Sequence, residues 1–181
     1  MEYVLLGLLA LRVMSIYEIK KALERGITLF YSASFGSINA AIDRMLAKGW
    51  IEGEEKVEHG RNKKVFHLTA AGREAFGEWL VSEIEEEKVK DPALTRLYFL
   101  GLAPAEERIR TLEAHLQRLR QLLSRLDSLH QQTASLQIAP ELQPIAKFQM
   151  LTLQYGREFY AFNIRWYENL LAALKQEQPS A

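Results

Sequence analysis

The sequence contains no cysteine, and only five of its 181 residues are proline. The absence of cysteine excludes disulfides, thiolate metal sites and cysteine nucleophiles. Lysine plus arginine equal aspartate plus glutamate at 23 each, so the formal net charge is +0 and the chain lacks overall basicity. A local basic patch on a neutral chain can still bind nucleic acid specifically, so neutrality weakens that hypothesis without excluding it.

Long apolar runs are also missing, since none approaches the ~18 residues that a membrane-spanning helix needs. The first residues lack the basic region of a secretory signal, and the apolar run that follows ends at Arg12. We therefore expect a cytoplasmic protein with no membrane partner. The four histidines lack metal-ligand spacing, and no nucleotide-binding or nucleophile-elbow motif occurs. The sequence predicts no enzyme activity, no metal and no cofactor.

Three helices are predicted in the first 50 residues. A short apolar helix spans residues 3–11, and Ser15 with Glu18 forms a capping box that opens a second helix over 15–23. A third helix spans 34–48, with Ser34 or Ser37 as its cap and an apolar stripe on one face.

A β-hairpin with a basic tip follows the third helix. Two strands flank a turn at Gly60, and the tip over 59–64 reads His-Gly-Arg-Asn-Lys-Lys. A fourth helix starts near Thr69 and is predicted to carry apolar residues as far as Ile84. Three helices followed by a basic wing are the layout of a winged helix-turn-helix, which places its third helix in the major groove of DNA and its wing on phosphates.

The rest of the chain is predicted to be helical. Asp91-Pro92 begins a fifth helix to about residue 102, and Pro104 begins a long sixth helix with a heptad seam. A break at Ala139-Pro140 separates it from a seventh helix over about 141–174. The predicted fold is therefore mainly α with a small β-wing: an N-terminal winged helix-turn-helix over 1–82, a connecting segment over 83–103, and a long helical hairpin for dimerisation over 104–181.

Each hairpin helix carries apolar residues on more than one face. On the seventh helix Leu153, Tyr160, Ile164, Tyr167 and Leu171 lie off the main seam. The main seam itself consists of Phe148, Leu151, Tyr155, Phe159, Phe162, Trp166, Leu170 and Leu174. A surplus apolar face needs a cover, and a second copy of the chain is the simplest one, so we expect a homodimer. The predicted dimerisation residues are Leu112, Leu116, Leu119, Leu123, Leu126, Phe159, Phe162 and Trp166.

The aromatic residues Tyr155, Phe159 and Trp166 could also line a pocket in the dimer for a small aromatic effector. An aromatic stripe at helical spacing is more often simply core, and this alternative stays open.

Candidate DNA contacts follow from position and chemistry. Ser37 and Asn39 lie on the first turn of the third helix, and asparagine can bond adenine through two hydrogen bonds, while Arg44 can reach guanine or phosphate. Three cations beside a glycine turn suit phosphates. The full predicted set is Tyr17, Lys20, Ser34, Ser37, Asn39, Arg44, Arg61, Lys63 and Lys64.

These motifs together resemble the PadR family of bacterial transcription regulators. The resemblance rests on residues 6–9, on 17–21, on Ser34 with 36–38, on 49–51 and on the wing with Gly72. It implies a dimeric repressor of the branch with a large C-terminal helical domain, and some members are released by small aromatic compounds. The chain departs from the family pattern at Ile16, Phe35, Asn39, Ala40, Asp43 and Asn62.

Two functions are consistent with the sequence. The first is a dimeric, sequence-specific DNA-binding transcriptional regulator, as a repressor. The alternative is a winged-helix module for protein–protein contact, which the neutral charge, Ala40 and Asp43 favour.

Overall fold

A computed structural model describes residues 1–24, 33–58, 61–84 and 91–176, and gives only the backbone at 57–58 and 61–62. It confirms a mainly helical fold with a small antiparallel wing. Within the described residues, none of the helices is both long and apolar enough to cross a membrane. The elements are α1 (Glu2–Leu11), β1 (Met14–Ser15), α2 (Ile16–Ala22), α3 (Phe35–Ala47), β2 (Ile51–Glu58), β3 (Arg61–Leu68), α4 (Ala70–Val81), α5 (Pro92–Phe99), α6 (Ala105–Ala134) and α7 (Gln143–Gln176), with 3-10 turns at Leu100–Leu102 and Pro140–Leu142.

Side-chain caps fix where the helices begin. The capping box at α2 is confirmed, because the Ser15 hydroxyl accepts from the amide of Glu18 and the Glu18 carboxylate accepts from the amide of Ser15. Ser34, not Ser37, caps α3, and Thr69 caps α4. The α4 helix ends at Val81, so the prediction that it extends to Ile84 was wrong.

The wing belongs to a three-stranded sheet in the order β1-β3-β2. The sequence analysis missed β1, in which Met14 lies opposite Phe66 and Ser15 lies opposite Val65. Two residues between two helices are too short to show a strand period, so only the paired strand reveals them. This pairing holds the start of α2 against the wing.

The core of the first unit lies where α1, α2, α3 and the sheet meet. Leu5, Leu6, Ile19, Ile38 and Met45 are completely buried there. Burial of each such side chain contributes roughly 1.5–3 kcal/mol, so the apolar stripe of α3 anchors that helix and leaves its opposite face to solvent.

The exit of α3 packs against the start of α4. Gly49 adopts a left-handed φ of 67°, which ends α3, and the Thr69 hydroxyl donates to its carbonyl oxygen at 2.7 Å. The amide of Thr69 donates to the Trp50 carbonyl oxygen at 3.1 Å. A Cβ at Gly72 would lie 2.0 Å from that same oxygen, so only glycine fits this close approach.

The chain divides into two compact units, residues 1–87 and 88–181. In the second unit α6 and α7 form an antiparallel hairpin, and Leu97 and Leu100 pack against its core. The finer division at 82/83 and 103/104 stays a prediction.

Candidate nucleic-acid interface

The first turn of α3 presents polar side chains that already bond to their own helix. The Ser37 hydroxyl donates to the Ser34 carbonyl oxygen at 2.8 Å, and its amide donates to the Ser34 hydroxyl at 3.1 Å. The Asn39 amide nitrogen donates to the Phe35 carbonyl oxygen at 3.1 Å. This bond uses one of the two N–H donors of the Asn39 amide, which leaves the other donor and the carbonyl oxygen for adenine.

The C-terminal half of α3 carries two cations that contact the first helix. Arg44 Nε lies 2.6 Å from Glu2 Oε1, and Lys48 Nζ lies 2.7 Å from Glu2 Oε2. The hydrogen bonds from Lys48 and Arg44 lower the pKa of the Glu2 carboxyl below its usual value. Arg44, a predicted DNA contact, is therefore held by an ion pair within the chain.

The two candidates on α2 differ in their surroundings. Tyr17 is 69% exposed, so its ring is available to an external partner. Lys20 is half-buried, and its ammonium lies 3.8 Å from the Glu24 carboxylate one turn later.

The wing differs in part from its predicted form. Residues 61–64 were placed at the tip, but they lie in strand β3, and the turn at 59–60 falls outside the described residues. The backbone of Arg61 pairs with Glu58, while its side chain is not described. Lys64 is exposed, with its ammonium 5.8 Å from the centre of the Phe66 ring.

Lys63 connects the wing to the start of α2. Its Nζ lies 3.1 Å from Glu18 Oε2, an oxygen that also accepts from the Ser15 amide at 2.8 Å and the Ser15 hydroxyl at 2.7 Å. The Ser15 hydrogen bonds first, and Lys63 after them, lower the pKa of Glu18 to about 2. Lys63 lies directly opposite Lys56 across the sheet, so Glu18 also offsets a like-charge pair.

The leucines of the predicted dimer seam lie inside the hairpin. Leu112, Leu116, Leu119 and Leu126 are at most 8% exposed, and the first three share a cluster with Ile164, Tyr167 and Leu171. We therefore assign these leucines to the hairpin core, since they leave little surface for a second chain.

The packed face of α7 is mainly the one predicted to lie off the seam, so that assignment was wrong except at Leu170 and Leu174, which pack against the hairpin core. Leu153, Ile164, Tyr167 and Leu171 are buried. The opposite face is 42–68% exposed, and its members recur every three or four residues. They are Phe148, Leu151, Tyr155, Phe159, Phe162 and Trp166.

An open cleft of about 690 Å³ lies between α6 and α7. Its lining includes Leu123, Asp127, His130, Lys147 and Arg157, but none of the three predicted aromatic residues. The Arg157 guanidinium lies 2.6 Å from the Asp127 carboxylate and spans part of the cleft.

Two family models match almost the whole chain. The model described as "Transcriptional regulator PadR-like family" matches residues 5–78, and the model described as "Virulence activator alpha C-term" matches residues 89–175. The chain therefore carries a PadR-like domain over residues 5–78, from a family of transcriptional regulators.

Full-length relatives share this architecture. The "Negative transcriptional regulator PadR" of Bacillus subtilis (strain 168) is 24% identical over 181 residues, which is 98% of this chain and 98% of that protein. A crystal structure of Bacillus subtilis PadR in complex with operator DNA has a TM-score of 0.82 and 23% identity, and covers 96% of this chain and 98% of its own. The Vibrio cholerae virulence activator AphA has a TM-score of 0.75 and 23% identity, and covers 98% and 99%.

The sequence did not reveal the structural roles of two carboxylates, Glu2 and Glu18. Glu2 contacts residues 42 and 46 positions away, and Glu18 was recognised as a cap but not as a partner of the wing. Neither contact leaves a local sequence signal, because each depends on how distant elements pack.

Proposed function

We propose that this PadR-like regulator acts as a dimeric, sequence-specific repressor, with α3 in the major groove of its operator and the wing on flanking phosphates. The observation that carries the proposal is the division of α3 into two faces. Ile38, Ile42 and Met45 bury one face in the core. The opposite face is partly exposed at Ser37 and Asn39 and exposed at Ala40, Asp43, Arg44 and Ala47. A helix anchored in this way can enter a groove without losing its packing.

The proposed contacts divide by chemistry. Ser34, Ser37 and Asn39 lie at the start of α3, where side chains reach base edges, and Arg44 can join them once it leaves Glu2. Phosphate contacts are proposed for the cations of α2 and the wing and for the Tyr17 hydroxyl. They are Tyr17, Lys20, Arg61, Lys63 and Lys64.

The exposed aromatic face of α7 supports the homodimer. Phe159, Phe162 and Trp166 are each more than 40% exposed, and a row of large apolar side chains of this length calls for a covering partner. A second copy gives the two-fold symmetry that reads paired half-sites on DNA. We place the dimerisation region within residues 104–181.

A small aromatic effector is part of the proposal. One Bacillus subtilis PadR structure is described as a complex with p-coumaric acid, a small aromatic acid. In this chain Tyr155, Phe159 and Trp166 are 42–68% exposed and do not line the cleft between α6 and α7, so we propose that a second copy covers them to form the pocket.

The first test is binding of the purified protein to the DNA upstream of its own gene, with unlabelled competitor DNA and a series of salt concentrations. A triple variant, Arg61→Ala/Lys63→Ala/Lys64→Ala, should weaken binding. It should also reduce the magnitude of the slope of log affinity against log salt by about 2.7 per protomer, since each phosphate contact contributes about 0.9.

A matched control removes three exposed arginines from α6, Arg110→Ala/Arg118→Ala/Arg125→Ala, which lowers the net charge equally. The control should keep the salt dependence of the wild type. An unchanged slope in the wing variant would contradict the phosphate role and favour the alternative, a module for protein–protein contact.

The dimer has its own test. Phe159→Glu/Trp166→Glu should convert a dimer into a helical monomer, because a symmetric interface would bury the new charges of both protomers and so incur their desolvation cost twice. Light scattering after size-exclusion chromatography measures the oligomeric state. The control Tyr98→Glu changes an exposed aromatic residue of α5. A dimer that survives the α7 substitutions would contradict the proposed interface.

A further inference from the structure

One edge of α3 is a row of four residues at helical spacing. Gly36, Ala40, Arg44 and Lys48 follow each other every four residues, and all four are exposed. The first two have no side chain long enough to reach beyond the helix surface. Arg44 and Lys48 are therefore the only members of this row that could extend to a DNA phosphate.

Glu2 holds both of these cations at once. Its two carboxylate oxygens lie 2.6 Å from Arg44 Nε and 2.7 Å from Lys48 Nζ, and only 18% of the Glu2 side chain is exposed, against 53% and 46% for its partners. Lys48 Nζ also lies 4.1 Å from the centre of the Trp50 ring, which fixes its position further. The cations are at the surface, but their charge is directed at a carboxylate.

We propose that Glu2 competes with DNA phosphates for Arg44 and Lys48, and in this way lowers the affinity of the protein for DNA of arbitrary sequence. The inference rests on the proposed DNA-binding function. Non-specific binding depends almost entirely on cations that neutralise phosphates, whereas operator binding also has base contacts. A carboxylate that masks two cations therefore weakens non-specific binding more than operator binding and increases the specificity ratio.

The experiment compares Glu2→Gln with the wild type on a labelled duplex of arbitrary sequence, about 30 base pairs long, which exceeds two half-sites one helical turn apart. Glutamine keeps the size of the side chain and removes its charge. We expect tighter binding by about 10-fold at 0.1 M salt, and a salt slope steeper by up to about 1.8 per protomer, the value for two phosphates.

Three further variants separate masking from general charge effects. Arg44→Gln/Lys48→Gln removes both cations and leaves Glu2 as an unpaired carboxylate, so it should bind the arbitrary duplex no more tightly than the wild type. Glu2→Gln/Arg44→Gln/Lys48→Gln should lose the gain of Glu2→Gln. The control Glu78→Gln removes an exposed carboxylate of α4 that has the same charge, and it should leave the slope within experimental error of the wild type.

Thermal melting by circular dichroism shows whether each variant is folded, and loss of structure would weaken binding rather than strengthen it. An unchanged slope in Glu2→Gln, or one equal to that of Glu78→Gln, would overturn the inference. So would a triple variant Glu2→Gln/Arg44→Gln/Lys48→Gln that keeps the full gain of Glu2→Gln. If the upstream DNA is bound against competitor while Glu2→Gln behaves as the wild type, only the masking role fails. If the wild type binds no DNA, the proposed function fails as well.

Discussion

Replacing Glu18 with glutamine tests the junction between α2 and the wing. The carboxylate accepts from the Ser15 amide and hydroxyl and lies 3.1 Å from the Lys63 ammonium. Glutamine can still accept at the cap, but it lacks the charge that attracts Lys63. The substitution therefore isolates the electrostatic part of the capping box.

The size of the effect follows from the pKa of Glu18, which is held at about 2 instead of 4.5. This difference corresponds to at most about 3 kcal/mol of stability. Since 27% of the side chain is exposed, water screens part of the interaction, and we expect Glu18→Gln to reduce the free energy of unfolding by about 1–2 kcal/mol at pH 7.

The sign of the pH dependence is fixed by the direction of the pKa shift. A carboxyl with a lowered pKa stabilises the fold fully above pH 4.5, where it is ionised in both states, and loses this contribution as the pH falls through about 2. The difference between wild type and Glu18→Gln should be equal at pH 6 and pH 8 and should shrink below pH 4.5.

Hydrogen exchange of the amides buried in α1 and α3 measures the stability of the first unit separately from the helical hairpin. Glu78→Gln, an exposed carboxylate on α4, is the control and should change exchange by less than about 0.5 kcal/mol. Equal protection in Glu18→Gln and wild type at pH 7, or a difference that grows at acid pH, would refute the electrostatic argument.

Two further substitutions test packing. Gly72→Ala should reduce the free energy of unfolding by about 2 kcal/mol or more and lower the melting temperature, because its Cβ would lie 2.0 Å from the Trp50 carbonyl oxygen. Gly77→Ala has nothing within 4 Å of its Cβ and should stabilise α4 by up to about 1 kcal/mol. A melting temperature that falls equally in both would contradict the close approach. Leu119→Ala should destabilise the hairpin by about 2–5 kcal/mol in urea unfolding, whereas Leu122→Ala, which is 37% exposed, should cost far less; equal losses would contradict the assigned core.

The sequence predicted those parts of the fold that have local signals. The Ser15–Glu18 capping box, the strands about Gly60 and the break near Pro140 each depend on residues close together in the chain, and all were located. The strand Met14–Ser15 was missed because its only signal is a partner 50 residues later.

The candidate site was less predictable than the fold. Periodicity shows that α7 has two apolar faces, but it cannot show which one meets α6, since both carry large side chains at helical spacing. Likewise, nothing near Arg44 in the sequence indicates that Glu2 neutralises it. Such choices are decided by the packing of whole elements, which a local pattern does not contain.

The junction around the Trp50 carbonyl oxygen has a mechanical consequence. That oxygen accepts a hydrogen bond from the Thr69 amide and lies in close contact with Gly72. The start of α4 therefore packs directly against the backbone at the exit of α3. Because packed protein interiors are nearly incompressible, we expect α4 to move as a rigid helix about its contact with this one peptide group. We therefore expect a tilt applied to the far end of α4 to move α3 with it.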